Sequence, residues 1–71
     1  MSTTEVQING VIRLGQFLQV AGLIDSGADA KTVIGDGEVT VNGEVDTRRG
    51  RQLRAGDVVV FGGRGARVVD G

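Results

Sequence analysis

Asn42-Gly43 stands between Val39-Thr40-Val41 and Glu44-Val45-Asp46. Two short β-prone runs around Asn-Gly are the strongest local signal for a hairpin, because both turn residues must adopt positive φ. Four arginines, Arg48, Arg49, Arg51 and Arg54, follow within seven residues. A rigid hairpin leading into concentrated positive charge is a arrangement suited to holding a phosphate backbone. A two-residue loop sets Val41 opposite Glu44 and Thr40 opposite Val45, mixing apolar and charged side chains on one face. A bulged, longer loop would set Val41 opposite Val45, and the pattern favours that bulged register.

Size limits what surrounds this hairpin. A chain of 71 residues makes one small core and buries only roughly 60% of its unfolded surface. The sequence contains neither cysteine nor histidine. Disulfides, thiolate zinc sites and the commonest general base are therefore excluded, and we expect no enzyme, no metal and no cofactor. Met1 to Asn9 is polar, and no apolar run approaches the roughly 20 residues of a membrane span; the expectation is a cytoplasmic protein.

The net charge of −1 conceals a division. Residues 1–47 carry two cations against seven acids, a net −5, whereas residues 48–71 carry six cations against two acids, a net +4. All but one of the eight cations are arginine, the residue suited to forked phosphate contacts and to stacking. Such separation implies one basic face on an otherwise acidic chain.

Ahead of the hairpin the pattern is helical. Glu5 to Ile8 alternates as a strand and turns at Asn9-Gly10. Leu14, Phe17, Leu18 and Ala21 then form a single apolar stripe at i, i+3, i+4 and i+7, with Gly22 placed as a helix terminator. Ser26 to Asp29 has the form of a capping box; Ala30, Val33 and Ile34 follow as the buried stripe of a second helix, which Gly37 can stop. After the arginines, Val58 to Phe61 reads as a central strand, Gly62 to Gly65 as a link and Ala66 to Val69 as a last strand. The predicted order is β-α-α-β-β-β-β, an α+β fold with two helices on one side of a small antiparallel sheet.

Four pieces of this pattern occur in a familiar order: Ile12-Arg13-Leu14-x-x-Phe17-Leu18; Gly22-Leu23-Ile24-x-Ser26-Gly27-x-x-Ala30-Lys31-x-x-Ile34; Gly37-x-Val39-x-Val41-Asn42-Gly43; and Leu53-x-x-Gly56-Asp57-x-Val59. Together they resemble the S-four RNA-binding domain, named after ribosomal small-subunit protein four, whose helix pair is called the αL motif. The likeness covers about residues 12–61, and the chain is similar to the small stand-alone bacterial type, with residues 1–71 read as a single domain. It implies a non-catalytic protein that binds structured RNA, ribosomal or transfer RNA and through it the ribosome, as a monomer. Carried over position by position, it implies RNA contacts from Arg13, Ser26, Lys31 and Asn42, joined by Arg48, Arg49, Arg51 and Arg54. Many relatives have Ser-Arg where this chain has Ser26-Gly27, which moves weight onto the arginine run.

Phe17 and Phe61 sit among apolar neighbours and read as core. With no tyrosine or tryptophan, aromatic stacking on bases has little to work with, so backbone and shape readout through arginine is expected. Neutralising four to six phosphates predicts a log K against log salt slope of about −3 to −5. Two other classes share some features. The hairpin with Ala55-Gly56-Asp57-Val58-Val59 also resembles ubiquitin-like sulfur carriers, although the chain ends Val69-Asp70-Gly71 without their double glycine. A protein–protein adaptor that binds no nucleic acid is the other.

Overall fold

A computed structural model describes residues 2–71, leaving Met1 outside. The elements run β1 (Ser2–Ile8), β2 (Ile12–Arg13), α1 (Leu14–Val20), α2 (Gly27–Gly35), β3 (Val39–Val41), β4 (Glu44–Val45), β5 (Gln52–Leu53), β6 (Val58–Phe61) and β7 (Arg64–Asp70). Five strands form one sheet in the order β1-β7-β6-β3-β4, and β2 pairs with β5 as a separate antiparallel ribbon.

Both helices end by the same device. The Gly22 and Leu23 N–H groups donate to the Gln19 and Leu18 carbonyls at 3.1 and 3.0 Å, and those of Gly37 and Glu38 donate to Ile34 and Val33, both at 3.1 Å. These are Schellman closures, which require a left-handed residue just past the helix; Gly22 and Gly37 supply it with φ of 73° and 77°.

The predicted stripes face the core, with Ala21 and Val33 only partly buried at its margin. Leu14, Phe17 and Leu18 of α1 meet Ala30 and Ile34 of α2 over Val39, Val41, Val59, Ala66 and Val68 of the sheet, with Leu23 and Leu53 completing the core. Phe61 packs half-buried against this cluster. Strand register aligns Val41, Val59 and Ala66 in one row across three strands. Each large side chain buried there contributes roughly 1.5–3 kcal/mol of transfer free energy.

The α+β class and the helix pair are as the sequence predicts. Three details of the strands differ. The sheet is mixed rather than wholly antiparallel, because β1 lies parallel to β7, with Val6 beside Val68. The ribbon strands β2 and β5 are two residues each, too short for a periodic pattern to reveal. The hairpin adopts the two-residue loop, not the bulged one: Val41 faces Glu44 and Thr40 faces Val45. Asn42 and Gly43 take φ of 54° and 87°, the two positive values that a tight primed turn needs. The mixed faces cost little because β4 is a two-residue edge strand, leaving Glu44 and Val45 in solvent. Among the described residues, no helix is long and apolar enough to cross a membrane.

Candidate nucleic-acid interface

The basic segment after β4 is organised by the acid that precedes it. Asp46 is buried, 6% exposed, a position a carboxylate tolerates only when its charge is met. Its Oδ1 accepts from the Arg48 backbone N–H at 2.9 Å and from Arg48 Nε at 3.2 Å. Its Oδ2 accepts from Arg48 Nη2 at 3.0 Å and Arg51 Nη1 at 2.8 Å. The Arg48 hydrogen bonds, aided by Arg51, hold the Asp46 carboxyl well below the usual carboxylate range despite the opposing effect of burial, and Asp46 in turn raises the Arg48 guanidinium. A turn from the Arg48 carbonyl to the Arg51 N–H, 3.1 Å, closes the loop.

The loop then caps the first helix. Leu14 and Gly15 donate their backbone N–H groups to the Arg51 and Arg49 carbonyls at 2.8 and 3.0 Å, satisfying donors that a helix start otherwise leaves open. Gly15 permits the approach: a Cβ there would stand 2.7 Å from Arg49 Cγ. Arg13 precedes the helix, its backbone N–H donating to Gln16 Oε1 at 3.4 Å. Arg13 Nη1 lies 3.4 Å from where a Cβ of Gly50 would be. Residues far apart in sequence thus meet at one place. Arg13 and Arg49 flank a groove of about 350 Å³ whose walls include Gln16 and Gln19 from α1, with Gly27 and Ala30 of α2 across it.

The sequence-predicted residues fall into five settings. Arg13 and Arg49 share the groove; Lys31 is exposed on α2 four residues beyond Gly27, hence on the same flank. Ser26 caps α2, its Oγ accepting from the Asp29 N–H at 3.4 Å. Arg48 and Arg51 are bound to Asp46, so alanine at these positions disturbs folding as well as charge. Arg54 donates its backbone N–H to Asp57 Oδ2 at 3.0 Å and its side chain is exposed. Asn42 stands apart: its Oδ1 accepts from the Val58 N–H at 2.9 Å and its Nδ2 donates to Asp57 Oδ1 at 3.1 Å. Those bonds tie the hairpin tip to β6.

The remaining charges lie elsewhere. Arg64 donates to the Leu23 carbonyl at 3.3 Å, steadying the end of α1, and Arg67 pairs with Glu5 at 3.5 Å across β7 and β1. Asp25 and Asp29 line a different recess, with Val33, Phe61 and Arg64. Asp25, just before α2, and Asp29, in its first turn, therefore lie away from the arginine groove. The sequence reading passed over Gly15, Gln16, Gln19 and Asp46. Only Asp46 left a trace, an acid two residues before a cation in a turn; the others gain meaning from contacts across the fold.

Four likenesses to known proteins accompany this geometry. The family model described as S4 domain matches residues 4–69. The probable ribosome maturation protein RlbA of Bacillus subtilis is 52% identical over 56 residues, 79% of each chain. YbcJ of Escherichia coli is 36% identical over 69 residues, covering 97% of this chain and 99% of that protein. Its solution structure, described as revealing an αL motif involved in RNA binding, superposes with a TM-score of 0.67 over 97% of this chain and 87% of that one. Ribosomal protein S4e of Thermoplasma acidophilum, 17% identical, shares the fold with a TM-score of 0.63 over 84% of this chain and 32% of its own.

Proposed function

Because this chain belongs to the S4 domain family, we propose that it is a non-catalytic protein that binds structured RNA on the arginine groove. The observation that carries the reading is the convergence of Arg13 and Arg49 on one groove of the helix pair, with the loop backbone fixed by Asp46. Forked guanidinium groups gathered at one groove match phosphate oxygens better than single-point cations do. Lys31 and Arg54 extend the positive surface on either side, and Ser26 contributes a hydroxyl at the start of α2. Arg48 and Arg51 add field while holding the loop, and Asn42 supports the hairpin from which the loop departs.

Among RNAs we favour ribosomal RNA, with action in the cytoplasm, since the Bacillus relative is named for ribosome maturation. Residues 12–61 would supply the binding core of a monomeric module spanning residues 1–71. Titrating labelled ribosomal RNA fragments against the protein across a salt series tests this. The expected log K against log salt slope is about −3 to −5; a slope near zero refutes phosphate-backbone binding. Crosslinking in cells followed by sequencing of the attached RNA identifies the target, and recovery of no RNA above background counts against the reading.

A further inference from the structure

Gln19 projects from α1 towards α2, with its Oε1 3.9 Å from where a Cβ of Gly27 would stand. Its amide makes no side-chain hydrogen bond among the described residues and is exposed. Gln16 differs, since its Oε1 already accepts from the Arg13 backbone. A free glutamine amide offers an acceptor and a donor side by side, the pair that matches N6 and N7 of adenine. Arg13 and Arg49 line the same groove, and their planar guanidinium groups can stack on a base where no aromatic side chain is available. Glycine at positions 15, 27 and 50 leaves these three places in the lining without a side chain.

We propose that this groove takes one unpaired adenine of the bound RNA, stacked against Arg13 and Arg49 and read by the Gln19 amide. The inference rests on the RNA-binding reading above and adds base selection to it. A paired base cannot enter, because its faces are stacked on its neighbours and the deep, narrow major groove of an RNA helix keeps its N6 and N7 edge out of reach. The ligand class is therefore an RNA stem interrupted by a bulge or junction that turns an adenine outward.

Fluorescence anisotropy on labelled hairpins with identical stems tests this: one fully paired, and others with a single bulged adenine, uridine or abasic residue. The intact protein should bind the adenine bulge about tenfold more tightly than the rest, the discrimination of one bidentate base contact. Gln19→Met, close in shape and without the amide, should lose that tenfold while keeping the wild-type salt slope. Arg49→Lys keeps the charge but not the plane and should also lose the preference. Equal binding of all four hairpins by the intact protein, or an adenine preference that survives Gln19→Met, overturns the inference while RNA binding itself stands. Failure to bind any hairpin at low salt overturns both.

Discussion

Asp46 grips Arg48 with both carboxylate oxygens, at 3.2 Å to Nε and 3.0 Å to Nη2, while buried beneath it. The first residue of the basic segment is thus committed to an acid two positions earlier, and Arg51 is committed to the same acid. Half of the arginine run shapes the loop, and the backbone it shapes caps α1 and presents Arg49.

Removing the charge of Asp46 should therefore be felt as lost stability. Asp46→Asn keeps the shape but forfeits the charge-assisted hydrogen bonds, and is expected to cost about 2 kcal/mol at pH 7 in urea denaturation. The pH dependence has a definite sign. The folded-state pKa of Asp46 lies below its unfolded value, so its contribution is fully present above the unfolded pKa of about 3.9 and is lost as pH falls through the folded value. The gap between wild type and Asp46→Asn should be constant from pH 5 upwards and narrow below pH 4. A gap that widened on acidification would contradict this account of the loop.

Gly15→Ala separates two effects. Alanine raises helix propensity by about 1 kcal/mol, yet its Cβ would stand 2.7 Å from Arg49 Cγ, forcing the arginine stem aside. The opposing effects should leave overall stability within about 1 kcal/mol of wild type. RNA affinity should nevertheless fall several-fold although no charge is lost, as measured by filter binding. Unchanged affinity would mean that Arg49 does not act from the groove.

Asn42→Gly asks whether the hairpin tip touches RNA. Glycine accepts the left-handed φ of 54° at this position, so the turn is retained while the hydrogen bonds to Val58 and Asp57 disappear. A loss of about 1–2 kcal/mol of stability is expected, with RNA affinity within twofold of wild type once the protein is folded. A tenfold loss of affinity in the folded variant would instead place Asn42 in the interface.

How much of this was legible beforehand follows from the distance over which each feature is encoded. Helices α1 and α2 declare themselves through neighbours three and four residues apart and through Gly22 and Gly37, whose roles are local. The Asn42-Gly43 turn does the same, although apolar alternation points to the wrong register, because nothing local marks β4 as an edge where Val45 can stand in solvent. The parallel pairing of Val6 with Val68 joins the two ends of the chain, and no local pattern specifies it. The groove is of the same kind: Arg13 and Arg49 meet because the Arg49 and Arg51 carbonyls cap α1. Residue type picked out both arginines, but not the division between those that build the loop and those left free.

Gly27 supplies the last test. It opens α2 on the groove side, and the nearest neighbouring atom to a Cβ placed there is Gln19 Oε1 at 3.9 Å, an ordinary contact. Its φ lies outside the left-handed region, so a side chain adds no backbone strain and slightly restricts the unfolded chain, worth about 0.4–1 kcal/mol. Gly27→Arg should thus fold at least as well as the wild type by urea denaturation. The new guanidinium would enter beside Arg13 and Arg49 at a helix start, where backbone N–H groups already favour an anion. The salt slope should steepen by about 1 as one more phosphate is neutralised, with RNA affinity rising several-fold at low salt. If the slope stays the same while the variant folds normally, phosphates do not pass over the start of α2, and the binding surface must lie on the Arg54 side of the loop.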